Sequence, residues 1–163
     1  MHRSLTRLVA AAAIGTFIGL ASPLVVSGVA LANDINGVVT TSSHYDFAET
    51  IRRIKEDVEA KGITYFTQIN QAQLGNASGN QVMPSTLLLF GNPALGTTFI
   101  TANQEAGLDW PVRVLVFQSA DGAVHVAYND FGWIANRHGI ANRQDQFAMA
   151  TMVIRSIVST IEK

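Results

Sequence analysis

Apolar residues recur with two different periods along this chain, and the switches between them outline a series of short elements. Val38-Val39-Thr40-Thr41-Ser42 is a β-branched run that predicts a first strand. Phe47, Ile51, Ile54 and Val58 follow at spacings of four, three and four, which lines one face of a helix. Asp46 with Glu49 makes a capping-box-like start to that helix, and Lys61-Gly62 closes it. Ile63 to Ile69 reads as a second strand, with Tyr65 and Thr67 on one face and Phe66 and Gln68 on the other. Asn70 to Met83, rich in Gln, Asn, Gly and Ala, predicts a loop with room for one short helix.

The second half repeats the alternation of strand and helix. Thr86 to Phe90 predicts a third strand, and Asn92-Pro93 opens a short helix or irregular segment toward Gly107. Val112 to Phe117 predicts a fourth strand, Asp121-Gly122 supplies hairpin-turn chemistry, and Ala123 to Tyr128 forms a fifth. Asn129 or Asp130 caps a short helix through Arg137, stopped at Gly139. Phe147, Ala150, Ile154, Ile157, Val158 and Ile161 mark the buried stripe of a C-terminal helix. This order predicts one α+β domain, a β-α-β4-α layer with a helical insert, in which two helices cover an antiparallel sheet. Leu87-Leu88-Leu89-Phe90 and Val114-Leu115-Val116-Phe117 place large apolar side chains on both faces. Two helices cover one face, so the other needs a partner subunit, the long loop or an apolar ligand; a homodimer is the least demanding answer.

Composition changes the picture at the N-terminus. Arg3 and Arg7 precede an uncharged run from Leu8 to Leu31, and Ala30-Leu31-Ala32 stands before Asn33-Asp34. A basic start, an apolar middle and small residues spaced A-x-A predict a secretory signal peptide over residues 1–32, cleaved after Ala32, and hence a periplasmic or extracellular domain over 33–163. An uncleaved membrane anchor is the alternative, and no other contact with a membrane is expected. The full chain has 11 Lys+Arg and 12 Asp+Glu; without Arg3 and Arg7 the remainder carries a net charge of −3. That balance lacks the basic footprint of a nucleic-acid binder. With no cysteine, disulfides, thiolate metal sites and cysteine nucleophiles are excluded.

Candidate chemistry is sparse. No nucleophile-elbow, zinc-protease or P-loop signature occurs, and His44, His125 and His138 follow no recognised metal-ligand spacing, so no catalytic residue, metal or cofactor is assigned. If strands two to five zigzag antiparallel, the third and fifth end at the same sheet edge. Gly91-Asn92-Pro93 with Gly96-Thr97 then lie near Tyr128-Asn129-Asp130, where a ligand can meet free helix N–H groups. The same residues are also ideal caps, and architecture alone is the simpler account of them. Arg113, if covered, needs a carboxylate, with Asp130 or Glu105 as candidates.

Several motifs in order carry a family likeness: Met83-Pro84-Ser85-Thr86, Phe90-Gly91-Asn92-Pro93 with Gly96-Thr97, Leu108-Asp109-Trp110-Pro111, Asp121-Gly122, Tyr128-Asn129-Asp130 and Arg137-His138-Gly139. From Val38 to Ile140 the chain resembles the domain-of-unknown-function family numbered 302. The resemblance implies a β-α-β4-α fold like that of the TATA-box-binding-protein class, commonly dimeric, and it singles out Asn92, Thr97, Tyr128, Asn129, Asp130 and His138. Where relatives often carry I-D-H-A, this chain has Ile69-Asn70-Gln71-Ala72, so two potential ligand or acid-base groups are replaced by amides. The expectation is an exported, non-enzymatic small-ligand-binding or interaction module; the alternative is a metal-assisted or acid-base hydrolase using Asp130 and His138.

Overall fold

A computed structural model describes residues 36–162, and the expected export segment over residues 1–32 lies outside them. Five strands, β1 (Val38–Ser42), β2 (Thr64–Asn70), β3 (Ser85–Gly91), β4 (Val112–Gln118) and β5 (Val124–Asn129), form one antiparallel sheet in the order β1-β5-β4-β3-β2. The helices are α1 (Phe47–Ala60), α2 (Gln71–Ala77), α3 (Pro93–Ala102), α4 (Phe131–Arg137) and α5 (Gln144–Val158), with 3-10 turns at Gln104–Asp109 and Ser159–Ile161. This is the α+β architecture that the hydrophobic pattern predicts.

Local chemistry explains most boundaries. Asp46 accepts a hydrogen bond from the Glu49 N–H at the start of α1, and Asn92 accepts from Ala94 and Leu95 at the start of α3, where Pro93 occupies the first turn. Asp130 caps α4 through the Trp133 N–H. Asn70, placed in a loop from the sequence, instead caps α2 through Gln73. Gly62 and Gly139, which follow α1 and α4, have φ of +66° and +60°, the left-handed geometry that a side chain disfavours.

Alternation along the strands separates two unlike faces. Leu88, Phe90, Val114, Val116, Val126 and Tyr128 are buried in one core with Ile54 and Val58 of α1 and Phe147, Ile154 and Ile157 of α5. Leu87, Leu89, Leu115 and Phe117 point to the opposite face, stay partly exposed and lie outside that core. One expectation fails on β2: Tyr65 pairs with Phe90 on the core side, whereas Thr67 pairs with Leu89 on the open side. A bulge inserts Phe66 between them, and one extra residue reverses the parity of everything after it. Phe66 meets the Trp110 ring edge-on, with centroids 5.9 Å apart.

Candidate ligand site

Strands β3 and β5 both run antiparallel to β4, so their C-terminal ends lie at one edge of the sheet, where α3 and α4 begin. Beside this edge lies a cavity of about 360 Å³ between the ends of β3 and β4 and the face of α5. Phe90, Val112, Phe131, Val153 and Ile154 supply apolar wall, Met149 stands at the rim half-exposed, and Lys61 and Asn92 are the polar members. A volume of this order, mostly apolar with a few polar groups, is what small-molecule sites require. The wall is legible in the sequence only as core: Ile154 and Ile157 belong to the predicted stripe of α5, and nothing local says that the stripe stands off the sheet at one end.

The six residues singled out from the sequence lie in different surroundings. Asn92 borders the cavity, with its Oδ1 engaged as the cap of α3. The Thr97 hydroxyl, one turn on, donates to the Pro93 carbonyl 2.7 Å away. Tyr128 is buried and lines a second hollow of about 250 Å³ with Val39, Arg155 and Glu162. Burial pushes the Tyr128 phenol above its ordinary range, partly offset by the Arg155 guanidinium. Asn129 borders a small crevice with Asp109 and Arg113. Asp130 is held by its cap and by its own N–H donating to the Gly37 carbonyl.

His138, at the end of α4, is bonded to a carboxylate that the sequence did not single out. Its Nε2 lies 2.7 Å from Asp109 Oδ2, and both side chains are almost wholly buried. Arg113 reaches the other oxygen of the same carboxylate at 2.7 Å, and Arg137 approaches Oδ2 at 3.4 Å. Asp109, and neither Asp130 nor Glu105, is therefore the carboxylate of Arg113; of the two residues considered for a hydrolase, His138 is bonded to Asp109 and Asp130 caps α4. The Asn103 carboxamide adds a bond to the His138 carbonyl, tying the segment after α3 to the end of α4. The sequence signal for this cluster was an aspartate four residues before Arg113, inside the Leu108-Asp109-Trp110-Pro111 motif. Among the described residues, no group of three or more His, Cys, Asp or Glu side chains is arranged to hold a metal ion.

Trp110 joins the cluster to the ligand edge. Its indole lies against Gly91 and Gly96, and a Cβ on Gly96 would fall 1.8 Å from Nε1. Gly91 in turn lines the cavity. The two glycines thus give an indole room against the ends of β3 and α3.

The family profile described as "Domain of unknown function DUF302" matches residues 38–160. A solved structure described as an uncharacterized conserved protein DUF302 from Bacillus stearothermophilus superposes with a TM-score of 0.70 at 16% identity, covering 77% of this chain and 98% of that one. The chain is also 33% identical over 110 residues to a protein of Brucella suis biovar 1 (strain 1330) named fluoride-specific ion channel FluC 1, covering 68% of this chain and 43% of that protein. A protein of the same name from Brucella abortus biovar 1 (strain 9-941) matches at the same identity, with 41% of its length covered. The chain therefore spans about two fifths of the length of these curated relatives. No helix among the described residues is long and apolar enough to cross a membrane. Because the profile match runs from β1 through α5, the chain belongs to the family of DUF302 domains.

Proposed function

We propose that this DUF302 domain is an exported, non-enzymatic module that holds a small apolar or amphiphilic ligand at the sheet edge bordered by Asn92. The observation that carries the reading is the cavity of about 360 Å³ beneath α5, walled by apolar side chains. Thr97, Tyr128, Asn129, Asp130 and His138 do not line this cavity: Asp130 caps α4, His138 joins Asp109, and Tyr128 and Asn129 border other hollows. The neutral fluorophore N-phenyl-1-naphthylamine tests it: its emission is expected to rise with the purified protein. Ala150→Phe, which places a ring in the wall, is expected to suppress the rise at unchanged circular dichroism. Absence of any rise with the unaltered protein sinks the reading.

The open sheet face supports a homodimer. Leu87, Leu89, Leu115 and Phe117 form an apolar patch that the helices do not cover, and a two-fold pair of such faces buries both. Sedimentation of protein recovered from the cell envelope is expected to give twice the chain mass, with an N-terminus at Asn33. Leu89→Lys, which puts an ammonium into the middle of the patch, is expected to yield the monomer. A monomeric unaltered protein rejects this arrangement.

The similarity to proteins named fluoride-specific ion channels favours a second reading, a ligand-binding accessory to ion transport. Stabilisation of the purified protein by sodium fluoride, and not by sodium chloride at equal concentration, is the result that would favour it over the apolar ligand.

A further inference from the structure

The mouth of the cavity carries an asymmetry that narrows the ligand class. Among the described residues that line it, Lys61 supplies the sole charge and Asn92 supplies a carboxamide. Asn92 commits its oxygen to the α3 cap, accepting from Ala94 and Leu95 at 2.9 and 3.3 Å. The polar group it has left is its NH₂, a donor. The Lys61 ammonium is a donor only, and one of its protons goes to Asp57 Oδ2. Asp57 itself does not line the cavity, so this bond draws the ammonium toward the outside of the mouth, and its two other protons, which make no hydrogen bond in the structure, are available to a ligand. Both polar groups at the mouth thus donate, and a complementary head group must accept. The volume of about 360 Å³ lies within the range of small-molecule sites.

We propose, building on the binding role above, that the cavity takes a single-chain medium-length acyl anion, its hydrocarbon tail beneath α5 and its carboxylate between Lys61 and Asn92. Burial of the tail supplies the affinity, and the two donors select the head group. Met149 at the half-open rim, an unbranched and adaptable side chain, accommodates tails of differing length.

Calorimetric titration of the purified protein with octanoate, 1-octanol and octyltrimethylammonium tests this. Octanoate is expected to bind at least tenfold more tightly than either of the others. Lys61→Met is expected to weaken octanoate about tenfold and leave octanol unchanged. Asp57→Asn, which frees the ammonium, is expected to strengthen octanoate. Lys61→Glu should reverse the order and favour octyltrimethylammonium. Lys61 is largely at the surface, so these variants are expected to keep the circular dichroism of the unaltered protein. Equal binding of octanoate and octanol, or an unchanged octanoate affinity in Lys61→Met, overturns the acyl-anion assignment while the cavity reading stands. Failure of all three ligands and of N-phenyl-1-naphthylamine overturns the cavity reading itself.

Discussion

Gly96→Ala is expected to destabilise the domain by about 2 kcal/mol or more, against the helix propensities of the two residues. In an exposed helix interior the same change gains about 1 kcal/mol, because alanine loses less backbone entropy on folding. Here Gly96 is buried in α3, and the added Cβ would sit 1.8 Å from Trp110 Nε1 and 2.2 Å from Cδ1. The indole cannot simply withdraw, because it also packs on Gly91, where a Cβ would approach Nε1 to 3.0 Å. Overpacking typically costs about 1 to 3 kcal/mol, and a 1.8 Å approach to a ring blocked on its other side belongs at or above the upper end, which leaves a net loss of about 2 kcal/mol after the propensity gain. Urea denaturation measures the loss, and a melting temperature lower by roughly 8 °C would accompany it in a domain of this size. Gly107→Ala is the control: its Cβ would meet only Ile100 Cδ1 at 3.9 Å, ordinary contact. Trp110→Leu in the Gly96→Ala background is expected to recover part of the loss, the non-additivity that a double-mutant cycle reads for groups in contact. A Gly96→Ala protein as stable as the unaltered one would refute the proposed packing.

Asp109→Ala is expected to cost about 3 kcal/mol, the range found when one member of a buried ionic cluster is removed. The three partners do not contribute equally. Arg113 and Arg137 keep 40% and 43% of their side-chain surface exposed, so water screens both pairs and each contributes little. His138 is 4% exposed, and its Nε2 would lose the carboxylate 2.7 Å away with no water to replace it. Asp109→Asn retains an oxygen in place and is expected to cost about half as much. Arg113→Gln, which removes a screened pair, should lie within about 1 kcal/mol of the unaltered protein. If Asp109→Ala proved as mild as Arg113→Gln, the cluster would be surface decoration rather than a join between the turn before β4 and the end of α4.

Much of the fold was legible because its signals are local. The spacing of Phe47, Ile51, Ile54 and Val58 sets a helix face, and Asp46, Asn92 and Asp130 start their helices through bonds to N–H groups two or three residues away. Such bonds need no tertiary partner, so a short window of sequence contains their cause. Gly62 and Gly139 stop helices for an equally local reason. The alternation in β3 and β4 likewise announced two apolar faces before any sheet was seen.

The errors occur where distance along the chain stops measuring distance in space. Phe66, the residue that the bulge inserts, packs on Trp110, 44 residues later, and the bulge reversed the faces of β2 beyond it. That His138 meets Asp109, 29 residues earlier, was likewise not legible, because it depends on the turn before β4 lying beside the end of α4. The cavity depends on how far α5 stands from β3 and β4, a sum over many contacts that no single residue encodes. By itself, then, the sequence determined the elements, their caps, the antiparallel layer and the family resemblance, since these follow from period, propensity and ordered motifs. Only the tertiary structure decided which charges meet, which strand face is open and where space remains, because close packing and electrostatics are properties of neighbours in space.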